Sequence, residues 1–167
     1  MKRNAKFAAL GVLAMSLAVA LGSCKRTIDT TGIGRWSITR TTKADAAAAG
    51  VCQPTELPDG RAGTWCFGMP SIKIAGAVPE VHAYFLGDKA DAHPIEIQWK
   101  IRGCREVALL EWLRKGFGKP IEERAARSYW QNGRMFLAAM VPESTAQCLV
   151  RMLPLSERGE IERIRKL

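Results

Sequence analysis

The sequence predicts a small α+β domain in which an antiparallel sheet packs against one main helix, and three segments carry that prediction. Ile95-Glu-Ile-Gln-Trp-Lys-Ile-Arg102 alternates without a break. Ile95, Ile97, Trp99 and Ile101 fall on one side and Glu96, Gln98, Lys100 and Arg102 on the other, as in a strand with one buried and one wet face. From Glu106 to Phe117 the apolar residues change to helical spacing. Leu109, Leu110, Trp112, Leu113 and Phe117 share one arc, opposite Glu111, Arg114 and Lys115. Finally, Asn132-Gly133 separates two strand-like segments, residues 123–131 and 134–141, and is a strong short-range hairpin signal.

The remaining elements follow in chain order. Residues 24–31 read as a short polar tether. Trp36-Ser-Ile-Thr-Arg-Thr alternates and reads as a first strand. Residues 43–50 hold five alanines and suit a helical turn or a mobile segment. A turn-rich loop with Pro54, Pro58, Asp59 and Gly60 extends to Gly63. Residues 64–75 read as strand, interrupted near Gly68 and Pro70, and residues 81–86 (VHAYFL) as another, closed by Gly87-Asp88-Lys89. The helix can cover the apolar face of the strand before it, and Gly116, Gly118 and Pro120 stop it. Residues 146–153 complete a strand meander that Pro154 ends. Ser156 is placed to cap a short C-terminal helix carrying Ile161 and Ile164 beside Arg158, Arg163, Arg165 and Lys166. Strands, one solid helix and a meander make one α+β domain over residues 32–167, without an internal repeat.

The N-terminus carries an address. Lys2, Arg3 and Lys6 stand in a short cationic stretch, and residues 7–21 are apolar, small or glycine except Ser16. These are the charged and apolar regions of a secretory signal peptide. As a helix the 15 apolar residues reach ~22 Å at ~1.5 Å per residue, short of a bilayer core of roughly 30 Å. The run ends Leu21-Gly22-Ser23-Cys24, which resembles the lipobox of bacterial lipoproteins. The resemblance, confined to residues 1–24, implies cleavage after residue 23 and a diacylglyceryl group on Cys24. It also implies acylation of the new amine, and two or more chains anchor a protein stably where one does so only marginally. Lys25, where enterobacterial lipoproteins retained on the inner membrane have aspartate, implies an outer-membrane destination. The bland alternative is an ordinary signal peptide cut near Ala20 or Gly22, with Cys24 an incidental cysteine.

Removal of 23 residues leaves 144 of the 167, enough for one core, and lowers the net charge from +9 to +6. This moderately basic balance suits an acidic partner. Nucleic acid is disfavoured, since no Lys/Arg run interleaved with aromatics is present. Five cysteines are an awkward number for an exported chain. With Cys24 lipidated, Cys52, Cys66, Cys104 and Cys148 remain for bridges in an oxidising compartment. Four cysteines allow three pairings; Cys52–Cys66, closing a turn-rich loop, with Cys104–Cys148, tying the helix start to a late strand, is favoured. Zinc binding is disfavoured because no C-x₂₋₄-C pair exists.

Catalytic constellations are weak. His82 lies mid-strand and reads as a solvent-facing or partly packed residue, and no G-x-S-x-G elbow nominates a serine. His93 shares a loop with Asp88 and Asp91, a trio with cation-binding potential but the ordinary composition of a turn. The adjacent Glu122 and Glu123 would point to opposite faces of a strand and cannot face one another across a substrate. Gly32-Ile33-Gly34 lacks the third glycine of a dinucleotide loop. Arg127, Tyr129, Trp130 and Arg134 crowd the hairpin, in the residue classes enriched at binding hot spots, with an exposed tip at residues 131–134. The competing reading places these aromatics in the core. The expectation is a non-catalytic, lipid-anchored envelope protein facing the periplasm, of the inhibitor, immunity or assembly-accessory kind. It would need no cofactor or metal, and would touch the membrane through its lipid and an envelope protein or other acidic macromolecule through its domain. The alternative is a periplasmic enzyme of unassigned class.

Overall fold

The computed structural model describes residues 30–141 and 147–167. The expected signal peptide, Cys24, most of the expected tether and Ala146, the start of the last expected strand, lie outside the described residues.

A two-stranded ribbon, β1 (Gly32–Ile33) with β2 (Trp36–Ser37), opens the domain. Helix α1 (Lys43–Ala49) follows. Thr42 and Asp45 close a capping box at its start, and the first-turn N–H groups of Lys43 and Ala44 donate to the carbonyls of Ala92 and Ala90. Four strands form an antiparallel meander: β3 (Val51–Glu56), β4 (Ala62–Met69), β5 (Glu80–Leu86) and β6 (Pro94–Arg102). Helix α2 (Glu106–Phe117) leads to a second meander of β7 (Glu122–Arg124), β8 (Arg127–Gln131), β9 (Met135–Met140) and β10 (Gln147–Pro154), after which comes α3 (Arg158–Lys166). The two meanders join through β6 and β10 into one antiparallel sheet of order β3-β4-β5-β6-β10-β9-β8-β7.

The class is therefore mixed α and β, but the sheet dominates. The expected small sheet on one main helix is corrected to eight strands whose faces are covered piecemeal by different segments. On one face, α2 spans the second meander: Cys104, just before it, is bonded to Cys148 in β10, and Gly118, at its end, accepts a hydrogen bond from Trp130 Nε1 at 2.9 Å. Its Leu109 and Leu113 are fully buried, each stabilising the fold by ~1.5–3 kcal/mol before ordering costs. On the same face of the first meander, Ile33, Trp36, Ile38 and Ala46 from the N-terminal segment pack on Cys66, Val81, Ala83, Phe85 and Ile97. On the other face, α3 sets Ile161 and Ile164 against Tyr129, Phe136, Ala138 and Leu153.

Several local expectations change. The turn-rich loop up to Gly63 contains the strand β3, and only residues 57–61 turn. Pro54 fits there because β3 is an edge strand. The alternating segment after Trp36 supplies a two-residue strand rather than a long one. The single strand expected over residues 123–131 is itself a hairpin, reversing at Ala125-Ala126 with Ala126 at φ 61°. The Asn132-Gly133 hairpin exists, but neither residue has positive φ. Asn132 instead accepts the N–H groups of Arg134 and Met135 through its side-chain oxygen, an Asx turn that removes the need for left-handed backbone. Ser156 does not cap α3; Glu157 occupies the N-cap without a side-chain cap bond.

Candidate functional site

Among the described residues, no helix covers the second face of the first meander. Alternate residues of a strand share a face, and the pairing aligns Trp65 with Tyr84, Tyr84 with Glu96, His82 with Gln98 and Gln98 with Arg151. Trp65, Phe67 and Tyr84 are only half-buried. Trp65 and Tyr84 are nearly parallel, 11° apart with centroids at 6.5 Å, and Phe67 lies 4.5 Å from Trp65. Beneath them His82 is buried and held at both ring nitrogens. Trp65 Nε1–H donates to Nδ1 at 3.1 Å, so in the neutral ring the proton sits on Nε2 and is donated to Glu80 at 2.7 Å. That bond, with help from Lys100 and Arg102, holds the Glu80 carboxyl below the usual glutamate range.

Beyond Tyr84 the face deepens into a cleft of about 800 Å³ between the β3–β4 turn and the start of α3. Its floor carries Arg151 and Glu96, each 7% exposed. The guanidinium grips Glu96 in a fork at 2.5 and 2.9 Å and reaches Glu160 at 2.5 Å. Arg163 completes the chain on Glu160 with two bonds of 2.7 Å. Burial alone would lower the Arg151 pKa, yet the bonds from Glu96 and Glu160 raise it above the ordinary arginine value. Burial likewise pushes Glu160 upward, but Arg163 and Arg151 together hold it below the ordinary range. Burial, then the Glu96 charge, push the Tyr84 phenol up, so it is a neutral hydroxyl at ordinary pH. At the rim Arg61 joins Asp59 at 2.6 Å and Glu157 at 2.5 Å, linking the turn to α3.

The residues expected at the hairpin are divided by the structure. Tyr129 and Trp130 are 0% and 2% exposed, on opposite faces of β8, under α3 and α2 respectively. They belong to the core and are not contact residues, a correction that follows from both helices crossing the second meander. Arg134 is exposed at the tip and Arg127 half-buried. The four cysteines form Cys52–Cys66 and Cys104–Cys148, the pairing expected. His93 donates Nδ1–H to the Thr41 carbonyl at 2.9 Å. Among the described residues no three His, Cys, Asp or Glu side chains converge as metal ligands, Asp88, Asp91 and His93 included. Glu122 pairs with Arg124 and Arg165, and Glu123 with Arg114. Tyr84, Glu96, Gln98, Arg151 and Glu160 were missed as site residues. Only Arg151 carried a signal, as a lone charge among Leu149, Val150, Met152 and Leu153, where a buried charge requires partners.

Among the described residues no helix is long and apolar enough to cross a membrane. No protein-family model, curated protein or solved structure matches the chain.

Proposed function

We propose that this chain is an exported, lipid-anchored envelope protein whose domain is a non-catalytic binding module, with the uncovered half-face of the sheet as its contact surface. The observation that carries the contact surface is the half-exposed Trp65, Phe67 and Tyr84 cluster fixed over a buried, doubly bonded His82. Large aromatics that are rigid before binding lose little entropy when they engage a partner. The two disulfides fit an oxidising, extracytoplasmic compartment, in keeping with the signal-like N-terminus.

The test is site-specific photocrosslinking in cells producing the full chain. A crosslinker replacing Phe67 should give an adduct, whereas one replacing Arg134, at the exposed hairpin tip on the helix-covered half, should give none. Equal adducts from both sites, or an adduct from 134 alone, would reject the half-face as the contact surface. Anchoring is tested separately: Cys24→Ser should accumulate precursor and lose acyl labelling, and normal maturation of that variant would reject the lipid anchor.

A further inference from the structure

The cleft beside the aromatic platform has a definable ligand chemistry. Its volume of about 800 Å³ lies in the range of small-ligand sites, roughly 300–1,000 Å³. Its floor is polar yet balanced in charge, since Glu96, Arg151, Glu160 and Arg163 form one alternating chain of acids and bases. On the floor, an anionic ligand group would have to draw the Arg151 guanidinium away from two carboxylates that already hold it, and a cationic one would have to displace Arg151. Either exchange leaves a buried charge without its partner, which is strongly unfavourable. A neutral ligand leaves the chain intact.

The exposed Glu56 and Arg158 also line the cleft, but on its floor the groups still able to hydrogen-bond are neutral. Gln98 donates one amide hydrogen to Glu96 at 2.8 Å, and its carbonyl oxygen makes no bond to a described residue. The Tyr84 hydroxyl likewise has no described partner, and burial keeps it protonated. Next to them lie the near-parallel, half-exposed rings of Trp65 and Tyr84, and an aromatic face carries a negative quadrupole that attracts polarised C–H groups. A ligand matching both features has a C–H-rich face, hydroxyls at its edge and no charge. A protein partner matches less well, because a specific protein interface needs ~800 Å² from each side and would desolvate the polar floor without filling it.

We propose that the cleft and the platform together bind a neutral oligosaccharide, one sugar ring stacking on Trp65 and Tyr84 while the next hydrogen-bonds to Gln98 in the cleft. This deepens the binding-module reading and rests on it.

The experiment is calorimetric titration of the disulfide-bonded mature chain with neutral cello-, malto- and chito-oligosaccharides, alongside an anionic oligogalacturonate. At least one neutral probe should bind with Kd below about 1 mM, with little change on raising salt, because no counter-charge is used. Trp65→Ala and Gln98→Ala should each weaken that binding by about tenfold or more, while Arg134→Ala leaves it unchanged. Gln98→Ala removes no aromatic packing, so it serves even where Trp65→Ala lowers the yield of folded protein. Absence of binding by every neutral probe would overturn the proposal. So would binding confined to the anionic probe and lost in salt, or binding insensitive to both substitutions. A Phe67 crosslink to a protein, together with failure of all the sugars, would retain the binding module and reject the saccharide.

Discussion

The two meanders place aromatic residues on the same face of one sheet with opposite outcomes. In the second, Tyr129 and Phe136 stack at 5.7 Å beneath Ile161 and Ile164 of α3 and lose all contact with solvent. In the first, Trp65 and Tyr84 occupy equivalent alternating positions on neighbouring strands and stay half-exposed. The strand patterns do not differ in kind. The difference lies in the helix after the second meander, which starts at the seam, where Glu160 meets Arg151, and runs back over its own strands toward Glu122. Whether an aromatic is core or contact surface is thus decided by a segment distant from it in sequence.

The seam is where the comparison can be broken most forcefully. Arg151→Met leaves Glu96 buried without a counter-charge and should cost ~3–5 kcal/mol in denaturant unfolding. The double variant Arg151→Met with Glu96→Leu should recover much of that loss, since the pair can be replaced by apolar packing. A single variant with near-native stability would show that the seam is not a buried ion pair in solution.

The disulfides staple the halves unequally. Cys104–Cys148 closes 44 positions and fixes α2 to the second meander, whereas Cys52–Cys66 closes 14 within one hairpin of the first. In the chain-entropy account both contribute ~2–4 kcal/mol, the longer loop more. Replacing each pair by serine should therefore lower the melting temperature further for 104/148 than for 52/66. The reverse order would mean that the first half depends on its bridge more than its packing suggests.

A smaller effect should appear in acid. Glu160 has a lowered native pKa, so the native state binds fewer protons than the unfolded chain below the ordinary value of 4.5. Its stabilising contribution is complete above that value and fades as pH falls toward the native pKa. Glu160→Gln should flatten the acid limb of a stability–pH profile while altering the profile little in shape near pH 7. An unchanged acid limb would remove Glu160 from the seam network.

Much of the architecture was legible locally. The β6 and α2 segments announced themselves because one period ran undisturbed through each, and α2 runs through Gly116 to end at Gly118. The disulfide pairing was readable because the expectation of a lipid on Cys24 left four cysteines, and the turn residues between Cys52 and Cys66 allow those two to come together. β3 was hidden by Pro54, which an edge strand tolerates, and the β7–β8 reversal by Ala125-Ala126, which carries neither glycine nor proline. Glu96 belongs to the side of β6 that alternation assigns to solvent, yet Arg151 and α3 bury it. The site itself was illegible for the same reason: it exists because α3 covers one half of a face and leaves the other bare, and no local pattern encodes that.

The most direct test of this division compares one tryptophan from each half in equilibrium unfolding. Trp130, buried under α2, should cost ~3–5 kcal/mol on replacement by alanine. Trp65, half-exposed on the platform, should cost about 1 kcal/mol when replaced in the same way. A loss for Trp65→Ala as large as that for Trp130→Ala would contradict the account, because the platform would then be part of the core and not a surface kept for a ligand.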